Sequence, residues 1–203
     1  MSGQLRSGEP LNIDALARDL QTSATPVREG LLVLQGQGFV QMEPRHGFRI
    51  TPLTRQDIAD MFLVQSLIAG ELAARAAREA SESLLGELTS CQESMRQADA
   101  RSDGEEMEAL NFQFHRLINR AVPSPKLTWL ISVTARYVPR LFYASISGWR
   151  DASLHDHETI IESLRTQDPE GARQAMISHI LHAGELLVSH LENEGFWSTP
   201  TEV

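Results

Sequence analysis

Cysteine is almost absent from this chain of 203 residues, and long apolar runs are absent altogether. The single cysteine, Cys91, cannot form an internal disulfide, which fits the reducing environment of a cytoplasm. No apolar run approaches the roughly 18–20 residues that a membrane-spanning helix needs, and the first residues lack the apolar stretch of a signal peptide. These absences argue against disulfide-stabilised secreted proteins and membrane-spanning proteins, and they predict a cytoplasmic location with no membrane partner.

Positive charge is also scarce, with 18 Lys and Arg against 27 Asp and Glu and a net charge of −9. Taken as a total, this balance argues against binding to nucleic acid. The charges are unevenly distributed, however, because residues 1–51 carry five Arg and five acids, whereas the rest carries 13 basic and 22 acidic groups. An acidic C-terminal part would repel a duplex, so DNA would have to bind the near-neutral N-terminal part. We expect such binding to depend on dimerisation and to weaken with salt.

Two short helices and a β-hairpin are predicted near the N-terminus. Asn12 is a capping residue before a first helix over residues 12–20. A second helix begins at Thr25-Pro26, where proline needs no N–H, and ends at Gly36. Four apolar residues of the second helix are expected to face inward: Val27, Leu31, Leu34 and Leu32.

This helix-turn-helix would present the N-terminal side chains of its second helix to DNA. Residues 39–43 and 48–50 then predict two strands around a turn, which is a wing with Arg45 and His46 at its tip, suited to phosphates or the minor groove.

The stretch Ser23–Glu29, with the Gly-Phe-Val that begins at Gly38 and the Arg-x-Gly of the wing, resembles the winged helix of GntR-family regulators over residues 3–51. The resemblance implies contacts with an operator through three residues of the second helix and two of the wing: Ser23, Thr25, Arg28, Arg45 and His46. Ala24 stands where the family usually has an arginine. The family's first helix, normally upstream of Gly3, is not found in this sequence, so either the start is misassigned or the module is weakened. These departures leave open the alternative of a dimeric metabolite sensor whose DNA binding is impaired.

The remainder of the chain predicts one helix after another, since no segment alternates with period two for long. The expected helices cover residues 55–80, 82–99, 103–121, 125–147, 152–166 and 169–193. The predicted fold class is therefore mainly α, with an N-terminal winged helix-turn-helix that lacks its usual first helix and a C-terminal antiparallel helical bundle. The predicted boundaries are 1–52 for the DNA-binding domain, 53–194 for the helical domain and 195–203 for a tail.

Three histidines on separate predicted helices, His115, His157 and His179, could converge on one metal ion. Asn111 lies four residues before His115 and therefore on the same helix face. Three imidazoles and one oxygen donor suit Zn²⁺, Ni²⁺, Mn²⁺ or Fe²⁺. Spacing alone also allows the other interpretation, in which each histidine is a hydrogen-bonded core residue.

The surroundings of these histidines favour the metal. The run from Asn111 to His115, the residues around His157, and the run from Asp168 to His179 resemble the FCD ligand-binding domain of the FadR subfamily over residues 54–193. That resemblance implies a helical bundle in which an Asp or Asn and three histidines hold a metal ion beside a pocket for an organic acid. It assigns the ligand positions to Asn111, His115, His157 and His179.

Three further side chains are candidates for binding the effector. Arg136 and Arg140 share one helix face and could clamp a carboxylate, although a salt-bridge role fits the same spacing. His182 follows His179 by three residues and could line the pocket or simply lie on a polar face. The sequence departs from the family pattern at Gln65 and Ala69, where Arg and Glu are common.

Together these features predict a cytoplasmic, homodimeric transcription factor, expected to be a repressor. It would bind a pseudo-palindromic operator in double-stranded DNA and respond to a small organic acid or amino-acid-like effector. A metal-dependent enzyme is the least favoured alternative. Glu158 is the only evident general base beside the ligands and is expected to face away, and no phosphate loop or nucleophile elbow appears.

Overall fold

The computed structural model describes residues 8–135 and 143–197. Two compact units, Met1–Thr54 and Arg55–Val203, divide the chain. The described residues are mainly helical, with one small antiparallel sheet, so the expected fold class is confirmed. Among the helices in the described ranges, none is both long and apolar enough to cross a membrane.

The described part of the N-terminal unit contains two helices and three strands. They are β1 (Pro10–Leu11), α1 (Ile13–Asp19), α2 (Ala24–Gly36), β2 (Val40–Glu43) and β3 (Gly47–Ile50). Asn12 caps α1, because its side chain accepts a hydrogen bond from the Ala15 N–H at 2.9 Å. Strand β3 lies between β1 and β2 and is antiparallel to both. The sequence did not predict β1, since a two-residue strand has no periodicity and forms only through its pairing with β3.

The core of the N-terminal unit is small. Its buried apolar residues are Ala17, Val27, Leu31, Val40 and Phe48. The expectation that Leu32 and Leu34 face inward is wrong, since they are 50% and 38% exposed. Successive helical positions differ by about 100°, so Leu32 cannot share the face of Leu31, and Leu34 lies in the last turn, just before the chain leaves the helix.

The C-terminal unit is built from six α-helices in its described part. They are α3 (Arg55–Arg78), α4 (Glu82–Ala100), α5 (Gly104–Arg120), α6 (Pro125–Thr134), α7 (Trp149–Arg165) and α8 (Pro169–Asn193). The side chains of Ser81, Asp103 and Asp168 cap α4, α5 and α8 by accepting backbone N–H groups. These polar residues, which separate apolar segments in the sequence, therefore mark the starts of three helices.

The helix predicted over residues 125–147 is shorter than expected. Helix α6 ends at Thr134, and residues 143–145 form a separate 3-10 turn. A helix continued to Pro139 would need that residue's missing N–H to bond to the carbonyl of Ala135. Ala135 is the C-terminal cap of α6, so the helix ends one residue before the carbonyl that this proline would leave without its helical N–H partner.

Close packing of helices builds the core that surrounds the site. Helices α3 and α8 approach closely at two glycines, Gly70 and Gly184. A Cβ atom at Gly70 would lie 2.7 Å from the Ile177 side chain, and one at Gly184 would lie 2.7 Å from Phe62. One apolar cluster joins α3, α4, α5, α7 and α8. The three helices that carry the candidate histidines therefore share a single core.

Candidate metal centre and nucleic-acid interface

Helices α5, α7 and α8 bring His115, His157 and His179 together inside the bundle. One ligand nitrogen from each lies within 4.8 Å of the others, and Nε2 of His115 is 3.2 Å from Nε2 of His179. Two nitrogens bound at about 2.1 Å to one ion lie about 3.0–3.4 Å apart, for angles between octahedral and tetrahedral. The separation of these two nitrogens therefore fits joint coordination of a transition metal.

The environment of His115 and His157 favours the neutral imidazole. Burial, followed by the nearness of His179, lowers the pKa of His115 to about 3. Burial is also the main reason that the pKa of His157 lies well below its ordinary value, with His179 and His115 adding to the effect. A neutral imidazole has one nitrogen with a free lone pair, which is the form that binds a metal.

Two of the predicted ligand atoms are buried without any hydrogen-bond partner. Among the described residues, the buried side-chain atoms in this condition are Asn111 Oδ1, Ser153 Oγ and His157 Nε2. A buried polar atom without a partner costs about 1–3 kcal/mol. Asn111 lies one turn before His115 on α5. Its Oδ1 atom and Nε2 of His157 each have a lone pair that could bind a cation. The residues present therefore fit a divalent transition metal.

Neighbouring side chains fix the orientation of the rings. Phe114 stacks on His157 with centroids 3.8 Å apart and planes 4° from parallel. The Oε1 atom of Gln92 on α4 lies 3.3 Å from His157 Nδ1, and Oδ2 of Asp156 on α7 lies 3.3 Å from His179 Nδ1. Asp156 is itself partly buried, which raises its pKa, but hydrogen bonds and charge interactions with His179 and His182 leave it lowered.

Sequence reasoning missed both Gln92 and Asp156. A signal for Gln92 was present, since it occupies an apolar-face position of α4 in the spacing Leu85, Leu88, Gln92, Met95 and is buried. No comparable signal marked Asp156, since nothing in the local sequence indicates its contact with His179 on another helix.

Of the three candidate effector residues, the structure describes one, His182. His182 is 46% exposed at its side chain, and its Nδ1 lies 3.4 Å from the same Asp156 oxygen that faces His179. It therefore lies at the solvent side of the histidine cluster. Arg136 and Arg140 lie outside the described residues. Glu158 binds Arg96 at 2.5 Å on the exposed surface, so the expectation that it faces away from the ligands agrees with its position.

The residues predicted to contact DNA are all exposed in the N-terminal unit. Ser23 is the N-cap of α2, and Thr25 and Arg28 lie in the first turns of that helix. Arg45 and His46 occupy the turn between β2 and β3, where Arg45 has a left-handed backbone with φ of 68°. The five side chains thus belong to two exposed features, the start of α2 and the tip of the hairpin.

Arg49 beside the tip pairs with Glu43 at 2.8 Å across the hairpin. This pair ties the two strands together and leaves Arg45 as the exposed cation of the turn.

Comparisons with known proteins match both units. Residues 60–182 match the family model of the FCD domain, and residues 1–50 match that of the bacterial regulatory proteins of the gntR family. The probable D-xylose utilization operon transcriptional repressor of Paenarthrobacter nicotinovorans is 28% identical, covering 88% of this chain and 79% of that protein. The HTH-type transcriptional regulator YdhC of Bacillus subtilis is 26% identical, covering 96% and 88%.

Solved structures agree on the fold. McbR/YncC of E. coli superimposes with a TM-score of 0.67 at 23% identity, covering 95% of this chain and 91% of that one. A GntR family regulator from Pseudomonas syringae superimposes with a TM-score of 0.58 at 22% identity, covering 94% and 82%. At these identities the likeness concerns the fold alone.

Proposed function

The chain belongs to the GntR family of bacterial transcriptional regulators and carries an FCD domain, and from this premise we propose that it is a ligand-responsive repressor. Two copies would bind a pseudo-palindromic operator in double-stranded DNA through their winged helices. The helical unit would bind a divalent transition metal (Zn²⁺, Ni²⁺, Mn²⁺ or Fe²⁺) and, beside it, a small organic acid or amino-acid-like effector. The family and the relatives named above are regulators rather than enzymes.

The observation that carries the proposal is the convergence of three imidazoles, two of them buried, together with two predicted ligand atoms that lack a hydrogen-bond partner among the described residues. The nitrogens of His115, His157 and His179 lie within 4.8 Å of one another, and Asn111 Oδ1 has no partner among the described residues. Four protein ligands on an octahedral ion would leave two positions open, which a carboxylate could fill. In the same chain, Thr25 and Arg28 are exposed at the start of a helix suited to the major groove.

The regulatory step follows from linkage between the two sites. An effector can release the protein from DNA only if it binds the DNA-competent conformer more weakly than the other conformer. DNA must then weaken effector binding by the same factor, which for such coupling is about 5–150-fold. The repressor assignment is supported by the name of the Paenarthrobacter relative, a probable D-xylose utilization operon transcriptional repressor.

Selection from a random duplex library, followed by fluorescence anisotropy on the enriched sequence, tests the DNA-binding part. We expect a sequence with two-fold symmetry, bound with an affinity that falls steeply with salt. Failure to enrich any sequence would contradict the repressor proposal and favour a sensor that no longer binds DNA.

Elemental analysis and thermal shift test the metal and effector part. Wild-type protein should contain a stoichiometric transition metal that the double variant His157→Ala, His179→Ala lacks. A panel of lactate, citrate, gluconate and glutamate is then screened with the metal present. At least one carboxylate should raise the melting temperature of wild type, leave the double variant unchanged and weaken operator binding. A carboxylate that acts equally on both proteins would contradict the metal-assisted pocket.

A further inference from the structure

Two polar side chains contact the histidine cluster on the side away from the shared nitrogens. Gln92 on α4 is 2% exposed and uses both ends of its amide: Nε2 donates to the Leu154 carbonyl at 2.7 Å, and Oε1 lies 3.3 Å from His157 Nδ1. Asp156 on α7 places one carboxylate oxygen 3.3 Å from His179 Nδ1. Neither residue is itself among the candidate ligands, so their contacts with the rings need a separate explanation.

The contact with Leu154 determines which nitrogen of His157 carries the hydrogen. A backbone carbonyl only accepts hydrogen bonds, so the amide nitrogen of Gln92 must face Leu154. The amide oxygen then faces His157 Nδ1 and can only accept, which requires a hydrogen on Nδ1. In a neutral ring the lone pair is then on Nε2, and this is the buried atom without a partner among the described residues.

The same reasoning applies to His179 through a different residue and helix. The Asp156 carboxylate only accepts, so His179 must carry a hydrogen on Nδ1. The lone pair of a neutral His179 is therefore on Nε2, the atom that lies 3.2 Å from His115 Nε2. Two independent contacts, from α4 and from α7, thus produce the same tautomer and direct the Nε2 lone pairs toward one point.

We propose that Gln92 and Asp156 are positioning residues that hold His157 and His179 in the Nδ1–H tautomer, so that both Nε2 atoms are available to one divalent transition metal ion. The inference rests on the proposed metal-binding function. A hydrogen-bond acceptor behind a ligating histidine fixes the orientation of the ring and makes it a stronger ligand, and loss of such an acceptor typically weakens metal binding about 10–100-fold.

Nuclear magnetic resonance of metal-free protein labelled with ¹⁵N-histidine tests the tautomers directly. We expect the Nδ1–H form for His157 and His179 in wild type. Gln92→Met, which keeps the length of the side chain but removes the acceptor, should give His157 a mixture of tautomers and leave His179 unchanged. Asp156→Ala should do the reverse. Gln97→Met, on the exposed face of the same helix, is the matched control and should change neither ring.

Competition with a chelator of known Zn²⁺ affinity tests the consequence for the metal. Gln92→Met and Asp156→Ala should each bind Zn²⁺ about 10–100-fold more weakly than wild type. Asp156→Asn retains an acceptor oxygen and should lose less than Asp156→Ala. A merely structural role would lower the melting temperature of the metal-free protein without changing the tautomers or this order of affinities.

The outcomes separate this inference from the proposed function. Wild type that binds no Zn²⁺ would overturn the metal part of the function and the inference with it. Wild type that binds Zn²⁺ tightly, with Gln92→Met and Asp156→Ala unchanged in tautomer and affinity, would overturn only the inference. Should Gln92→Met fail to fold, Asp156→Ala and Asp156→Asn carry the test, because Asp156 is partly exposed and tolerates substitution more readily.

Discussion

The two units carry their candidate functional residues in opposite environments. In the N-terminal unit, Arg28 and the other predicted DNA contacts are exposed, and the buried core of its described part consists of five residues that are each 3–7% exposed. In the helical unit, His157 and His179 lie within the core, beside residues such as Phe114 and Ile160 that are completely buried. The side chains predicted to contact DNA therefore lie outside the core of the N-terminal unit, whereas two of the candidate metal ligands belong to the core of the helical unit.

This difference predicts how each unit responds to change. Exposed contact residues can be replaced without loss of stability, because surface substitutions usually alter the free energy of unfolding by less than about 0.5 kcal/mol. Buried ligand atoms without partners destabilise the fold until something binds them. A metal ion should consequently stabilise the helical unit, whereas DNA recognition should depend on side chains that contribute little to stability.

The largest expected effect is stabilisation by metal. At free Zn²⁺ a thousandfold above the dissociation constant, binding should add about 4 kcal/mol to the free energy of unfolding. Thermal melting measures the gain, and hydrogen–deuterium exchange should locate the added protection in residues 55–197 rather than in the winged helix. His155→Ala, which removes an exposed histidine of α7, is the control and should respond like wild type. An equal gain in His157→Ala, His179→Ala would contradict a site at these residues.

A second prediction concerns the small core of the winged helix. Phe48→Ala removes the aromatic side chain on β3 from a cluster of five buried residues in the described part of this unit. It should cost about 3 kcal/mol, the lower end for such a truncation. Operator binding should be lost while metal stoichiometry is retained, as measured by anisotropy and elemental analysis. Met42→Ala, at the exposed position that pairs with Phe48 across the sheet, should change neither. Loss of metal in Phe48→Ala would show that the two units do not fold separately.

Local patterns in the sequence were sufficient for most helix boundaries. Asn12 and Asp168 are capping residues, and both begin helices where the sequence indicated. The histidines were found because a resemblance linked them, and the structure brings them together. The end of α6 at Thr134 was missed because the sequence pattern shows no break at that position.

The contacts behind the histidines could not be predicted in this way. Gln92 and His157 are 65 positions apart, and Asp156 and His179 are 23 apart. Periodicity describes which face of a helix is buried but not which residue of another helix it meets there. Residues that support a site are therefore harder to identify from the sequence than the ligands themselves, which are recognised by residue type.

A third prediction tests whether recognition is independent of stability. Arg28→Ala should weaken operator binding by about 1–3 kcal/mol if the side chain reads a base and leave the melting temperature unchanged, because the residue is exposed. If Arg28 binds a phosphate instead, the salt dependence should decrease by about one unit with little change in sequence preference. Arg78→Ala removes the same charge from the helical unit and should have neither effect. A fall in melting temperature comparable to that of Phe48→Ala would contradict the separation.

The smallest expected effect concerns an ion pair at the surface of the helical unit. Glu71 on α3 accepts hydrogen bonds from Arg173 of α8 at 2.5 Å and from Arg75 at 2.7 Å. These contacts lower the pKa of Glu71 below its ordinary value, with the hydrogen bond from Arg173 as the largest cause, although partial burial acts in the opposite direction. A carboxylate whose pKa is lower in the folded state stabilises that state above its unfolded pKa, and the stabilisation is lost as the pH falls through the folded pKa.

Glu71→Gln should therefore lower the free energy of unfolding at pH 7 by about 1 kcal/mol or less, and the difference from wild type should disappear in acid. Urea unfolding at several pH values measures both. Glu162→Gln breaks a pair with Arg165 inside one exposed helix and should have a smaller effect. The Glu71–Arg173 pair joins α3 to α8 near their close approach at Gly70. It should still stabilise the fold less than metal binding does, because water screens a partly exposed charge far more than it screens ligand atoms in the core. A difference that persisted below the pKa of the carboxyl would mean that Glu71 acts through packing rather than charge.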